Sequence, residues 1–145
     1  MNQNRKMQYQ EFIKRVRERT YIDSDEEALT LIRATLETLA EHQAGNASAQ
    51  LAAELPEQIA EFITNQNSGT KSDGEAFGVQ EFVRRVGERA EIGEANTAAL
   101  FASSVLAVVQ DAVSREEFDK MRSTFPAEYN ALFEQENSEA LSTRY

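Results

Sequence analysis

The chain has 145 residues, no cysteine, two prolines and six glycines, which excludes disulfides, thiolate nucleophiles and cysteine-held metal or iron–sulfur centres and argues against a turn-rich β fold. Its 41% hydrophobic and 8% aromatic residues supply a core and exclude a wholly disordered acidic chain. With 15 basic against 25 acidic side chains the formal net charge is −10, so nucleic acid phosphates and anionic lipid are not expected partners.

The first residues, Met1-Asn2-Gln3-Asn4-Arg5-Lys6, are polar with no apolar run behind them and do not read as a secretory signal. Tyr9, Phe12, Ile13, Val16 and Thr20 then fall on one stripe of an amphipathic helix. Ser24 followed by Glu27 forms a capping box, predicting a second helix to about His42 with Ala28, Ile32, Leu36 and Leu39 inward. Asn46 or Ser48 is expected to start a short third helix. Pro56 fits the first turn of a fourth, where its missing N–H costs nothing, with Ile59, Phe62 and Ile63 on the apolar face. A polar, glycine-containing stretch from Asn65 to Glu75 follows.

Beyond it the same order returns. Val79, Phe82, Val83, Val86 and Ala90 repeat the first stripe. The next helix carries Phe101, Ala102, Val105, Leu106, Val108, Val109 and Val113 and is apolar nearly all round, the mark of a central helix. The longest apolar stretch, Ala98 to Val109, is interrupted by Ser103 and Ser104 and falls short of the ~20 residues a membrane span needs. Ser114 with Glu117 opens a third helix through Met121, and Pro126 a fourth with Tyr129, Leu132 and Phe133 inward.

The recurrence has one offset, 70 in the numbering. Gln10-Glu11-Phe12-Ile13-Lys14-Arg15-Val16-Arg17-Glu18-Arg19 returns as Gln80-Glu81-Phe82-Val83-Arg84-Arg85-Val86-Gly87-Glu88-Arg89, and with no gap Leu55-Pro56 pairs with Phe125-Pro126. Positions 10 to 63 give 11 identities in 54 pairs. The expected organisation is a helical unit at residues 7–64, a polar linker at 65–77, a second unit at 78–135 and a tail at 136–145. A unit of about 57 residues is marginal alone. The predicted fold is therefore all-α, with two tandem four-helix repeats packed about a pseudo-twofold axis into one helical-bundle domain.

The two Gln-Glu-Phe-x-x-Arg-Val-x-Glu-Arg segments and the two Leu/Phe-Pro endings resemble the bacterial family catalogued as domain of unknown function 2267, over roughly Met7 to Gln135. That resemblance implies an all-helical, two-repeat, bacterial cytosolic protein. It implies no activity and no functional residue. The chain departs from the family's look at Gly87, where the first unit has Arg17, and at Gly45-Asn46-Ala47, where the second has Arg115-Glu116-Glu117.

Candidate chemistry is sparse. His42 is the single histidine, and a place near a helix end reads as a cap or surface side chain rather than a general base. Asp23-Ser24-Asp25-Glu26-Glu27 lacks the glycine of a calcium loop and sits where a helix start favours acids. Phosphate-cradling glycine loops and a serine-nucleophile elbow are absent. No catalytic, metal-binding or cofactor-binding residue is predicted, no cofactor is expected, and the balance leans away from an enzyme.

Charge is uneven. From Arg5 to Arg19 six basic and two acidic residues give a local +4, leaving −14 for the rest. Lys14, Arg15, Arg17, Arg84, Arg85 and Arg89 lie off the apolar stripes. They form either a solvated face paired to the protein's own acids or a docking face for an acidic partner. The expected function is a non-enzymatic protein-interaction or regulatory helical module in the cytoplasm, binding another protein or itself as a homodimer, with no nucleic acid and no membrane insertion. The alternative is a small-molecule-binding protein or enzyme with a pocket between the repeats, where Arg15 and Arg85 would converge with a carboxylate.

Overall fold

The amphipathic stripes form the helices they predict. The structure, a computed structural model, describes residues 7–42, 50–67 and 77–133. Among these are α1 (Tyr9–Thr20), α2 (Asp25–Glu41), α3 (Glu57–Asn67), α4 (Val79–Ala90), α5 (Ala95–Ala112), α6 (Arg115–Ser123), a 3-10 turn (Ala127–Tyr129) and α7 (Asn130–Phe133), with no strand. Gln50, Leu51 and Ala52 are also helical. The expected starts of the third helix at Asn46 or Ser48, the linker over 68–76 and the tail at 136–145 lie outside the described residues.

Helix ends follow local chemistry. The backbone N–H of Glu27 donates to Ser24 Oγ at 3.0 Å and that of Glu117 to Ser114 Oγ at 3.2 Å, satisfying N–H groups that no helical carbonyl reaches. α1 and α4 each stop at a left-handed residue, Tyr21 and Glu91, both at φ 60°, a conformation uncommon outside glycine and asparagine. Pro56 precedes α3, where its carbonyl accepts from Ile59 and Ala60. Pro126 starts a 3-10 turn instead of the expected α-helix, closed by Tyr129 N–H to the Pro126 carbonyl at 2.9 Å. That tighter turn lets Glu128 and Tyr129 both reach back to the segment that begins α4.

α5 is central, as its all-round apolarity requires. Residues 102 to 109 are buried without a break, and the helix packs against α1, α2, α4 and α7. Ser104 inside it donates to the Leu100 carbonyl at 3.0 Å, the back-bond that lets a hydroxyl stay in an apolar helix. Phe12, Leu36, Ile59, Phe82, Val105 and Phe133 belong to one cluster of buried side chains, so both halves of the chain contribute to the same core. α3 runs through Asn67, into the stretch expected as linker.

Gly87 and Arg17 hold matching places in the two halves and close the same turn differently. A Cβ on Gly87 would lie 3.0 Å from the Ile92 carbonyl and 3.4 Å from Ala98 Cβ; without one, the Gly87 carbonyl accepts from Ile92 N–H at 2.8 Å. Arg17 instead sends its guanidinium to the carbonyls of Ile22 and Asp23 and to the Asp25 carboxylate.

Candidate functional site

The basic residues on α1 and α4 face the protein's own acids. Arg15 pairs with Glu11 one turn back at 2.9 Å and with Asp111 at the end of α5 at 3.6 Å. Arg85 pairs with Glu81 at 2.8 Å and with Glu41 at the end of α2 at 2.9 Å. Arg89 joins Arg85 on Glu41 and also donates to the Thr38 hydroxyl at 2.9 Å. Arg84 lies between Glu81 and Glu88, and Arg17 is held at the turn after α1. Lys14 is exposed and makes no ion pair with a described residue. Glu41 thus brings Arg85 and Arg89 together, whereas Arg15 engages a different carboxylate.

Hydrogen bonds from Arg84 and then Arg85 hold the Glu81 carboxyl down at about 2. Glu41 is the more sheltered hub: its side chain is 23% exposed and that of Arg85 18%, against 40% for Asp111 and 43% for Arg15. Exposed pairs contribute little because water screens them, while removing one partner of a sheltered set strands the other. Glu41→Ala is therefore expected to cost about 1–2 kcal/mol and Asp111→Ala under about 0.5 kcal/mol. Urea titration of both variants measures this; equal losses reject the ranking.

His42 is not at the surface. It is 1% exposed, and although its backbone N–H caps α2 on the Leu39 carbonyl, its ring packs against Phe77, Phe125 and Tyr129 with centroids at 5.0, 4.6 and 5.4 Å. The Phe77 carbonyl lies 3.0 Å from Nε2 and also accepts the Tyr129 hydroxyl at 2.8 Å. A carbonyl has no proton to give, so Nε2 carries the hydrogen and donates. Burial pushes the imidazole pKa below its ordinary value, with the Phe77 bond opposing. Burial also pushes the Tyr129 phenol up. The Arg85 guanidinium covers the outer face of Phe77 at 4.0 Å from the ring centroid, a cation–π contact.

Sequence reasoning placed Phe77 in the linker and missed this cluster. An aromatic residue at the end of a polar, glycine-containing stretch was the available signal. With Nε2 committed as a donor, that nitrogen is not a base, and the arrangement fastens the start of α4 onto the end of α2.

Among the described residues no three His, Asp or Glu side chains are arranged to hold a metal ion. In the acidic run, Asp25 pairs with Arg17. No single described helix is long and apolar enough to cross a membrane. The outer faces of α4, α5 and α7 enclose a surface groove of roughly 450 Å³, lined by Val79, Val83, Ala95, Ala99, Ser103 and Leu132 among others.

A family model described as "Uncharacterized conserved protein (DUF2267)" matches residues 9–132. Comparison with curated proteins gives no match.

Proposed function

The chain belongs to the DUF2267 family, and for this member we propose a non-enzymatic interaction or regulatory module of the bacterial cytoplasm that binds another protein or a second copy of itself. In this reading two tandem four-helix repeats, related by a pseudo-twofold axis, form one domain. Supporting it, α1 and α4 occupy equivalent places in the repeat, each beginning and ending at matching positions. The triad Glu11–Arg15–Asp111 likewise has its counterpart in Glu81–Arg85–Glu41, every member shifted by the repeat offset. Each first helix thereby reaches the second helix of the other unit.

One observation carries the choice of function. An apolar pocket lined by convergent Arg15 and Arg85 would favour the alternative, but the two pair with different carboxylates and both halves share one apolar core. Accessible apolar surface lies instead in the groove on α4, α5 and α7. Surface of that kind suits recognition of a partner by apolar anchors within a charged rim.

The test is quantitative affinity enrichment from cells with three baits: wild type, Ala131→Trp in the groove, and Lys14→Glu on the basic face. At least one protein is expected at roughly tenfold lower recovery with one of the variants, or the chain itself is expected to dimerise by sedimentation in a way that one variant disrupts. Equal recovery by all three baits together with a monomer at every concentration rejects the reading.

A further inference from the structure

We infer that the groove on α4, α5 and α7 is a docking site for a basic amphipathic helix of a partner protein. The inference rests on the interaction-module reading and names the chemistry of its partner. Three observations carry it: the residues that open the groove, a buried hydroxyl on its wall, and the charge around its mouth.

The groove exists because small side chains stand where the first half of the chain carries larger ones. Val83, Ala99 and Leu132 line it; their counterparts in the repeat are Ile13, Leu29 and Phe62, all packed on the core. Ile13 is 2% exposed, whereas Val83 remains half-buried. The volume lost is apolar and of Leu or Phe size, so a partner's Leu or Phe can supply what the first half supplies for itself. Ala95, Ala99 and Ser103 succeed one another at i, i+4 and i+8 along α5, a run of about 12 Å at 1.5 Å per residue. That length matches two turns of a docked helix with anchors at i and i+4 or i+7.

The wall carries a buried hydroxyl that no described residue partners. Ser103 is 4% exposed, lines the groove, and its hydroxyl makes no hydrogen bond to any described residue, unlike Ser104 beside it. A buried hydroxyl without a partner costs free energy, and the open side from which one can come is the groove.

The mouth is acidic. Glu128 stands in the groove's own lining, the adjoining depressions that share Gln80 with it carry Glu81, Arg84 and Glu128 and Arg84 and Glu88, and Glu94 directly precedes α5 next to Ala95. Four carboxylates stand there against the Arg84 guanidinium, which Glu81 and Glu88 share, and Glu81 is also held by Arg85, itself shared with Glu41. Glu128 turns one oxygen to the Val79 N–H at 2.9 Å. Lys and Arg flanking an apolar stripe complement such a rim, and like charge is repelled from it.

The experiment is fluorescence anisotropy with synthetic amphipathic helices of about five turns. The first carries a Leu stripe with a central Asn and Lys flanks, the second replaces every Lys by Glu, and the third keeps the Lys residues but scrambles the Leu order. The first is expected to bind at least ~10-fold tighter than either other. Ala99→Leu, which restores the residue found at the matching position of the first half, is expected to weaken it at least ~10-fold, and Ser103→Ala ~3–10-fold. Circular dichroism checks the fold of each variant; should Ala99→Leu fail to fold, Ala131→Trp at an exposed wall position decides in its place. Equal binding of the Glu peptide, or Lys-peptide binding undiminished by the groove variants, overturns the inference, the latter by reducing it to attraction toward an acidic chain. Groove-dependent recovery of a cellular partner with no peptide binding overturns the basic-helix chemistry and leaves the interaction module standing.

Discussion

Cut between residues 69 and 70, neither half of the chain is expected to fold alone, and mixing the halves is expected to restore the helical signal. The reason is where the contacts run. α4 packs on α2 and α1 on α5, so each first helix packs across the cut as well as on the second helix of its own half. Arg85 and Arg89 from one side of the cut share Glu41 on the other, and His42 reaches across to Phe77, Phe125 and Tyr129. Separated, α5 would present to water a surface that is buried continuously from residue 102 to 109. Isolated helices of this length are marginal in water, and a fragment of half the chain buries too little of its surface to compensate. Far-UV circular dichroism of each fragment and of their mixture measures the outcome. Two halves that melt cooperatively and do not associate reject the single-domain reading.

The same packing explains which parts of the fold were legible in the sequence. α1 and α4 were readable because a half-buried helix must place apolar residues every three or four positions, and Phe12, Ile13, Val16 and Phe82, Val86 are the residues found inside. Ser24 and Ser114 were readable because capping is local chemistry between residues three apart. The 3-10 turn after Pro126 was not, since the contacts that go with it lie far along the chain, the Val79 N–H donating to Glu128 and the Tyr129 hydroxyl to the Phe77 carbonyl. His42 misled for the same reason. Its position near a helix end is a one-dimensional fact, while its burial depends on three aromatic rings from the other half.

The basic residues show a further limit. Composition and helical spacing put Lys14, Arg15, Arg17, Arg84, Arg85 and Arg89 off the apolar stripes, but only tertiary structure says what each meets. Arg15 and Arg85 find Asp111 and Glu41, and Arg17 finds backbone carbonyls. The groove was invisible to helix-by-helix reading, although the substitutions that open it, Leu29 to Ala99 and Phe62 to Leu132, were already in the repeat alignment. A periodicity argument counts apolar residues and not their volume, and volume is what makes a groove.

Acid is expected to weaken the protein in two separate windows. His42 opens the first. In the unfolded chain its imidazole takes a proton near 6.5, while in the fold burial holds its pKa below that value. Unfolding between the two values therefore takes up a proton, so the contribution is complete above pH 6.5 and is lost as pH falls toward the folded value. A single group can impose at most about 1.4 kcal/mol per pH unit. The nearby Arg85 guanidinium over Phe77 is itself paired with Glu41 and Glu81, so burial among the aromatic rings is what disfavours the charged imidazole. Glu81 opens the second window. Its carboxyl titrates at about 2 in the fold against an ordinary 4.5, so its contribution is present above 4.5 and lost below. Urea midpoints measured from about pH 8 to about pH 3 resolve the two. His42→Gln is expected to flatten the profile above the Glu81 window, because an amide N–H can still donate to the Phe77 carbonyl and cannot titrate. Tyr129→Phe is expected to lower stability by about 1 kcal/mol at every pH without changing that slope, since the carbonyl keeps the His42 donor. An unaltered slope in the glutamine variant would place the acid sensitivity elsewhere and leave the aromatic cluster a purely mechanical fastening between α2 and α4.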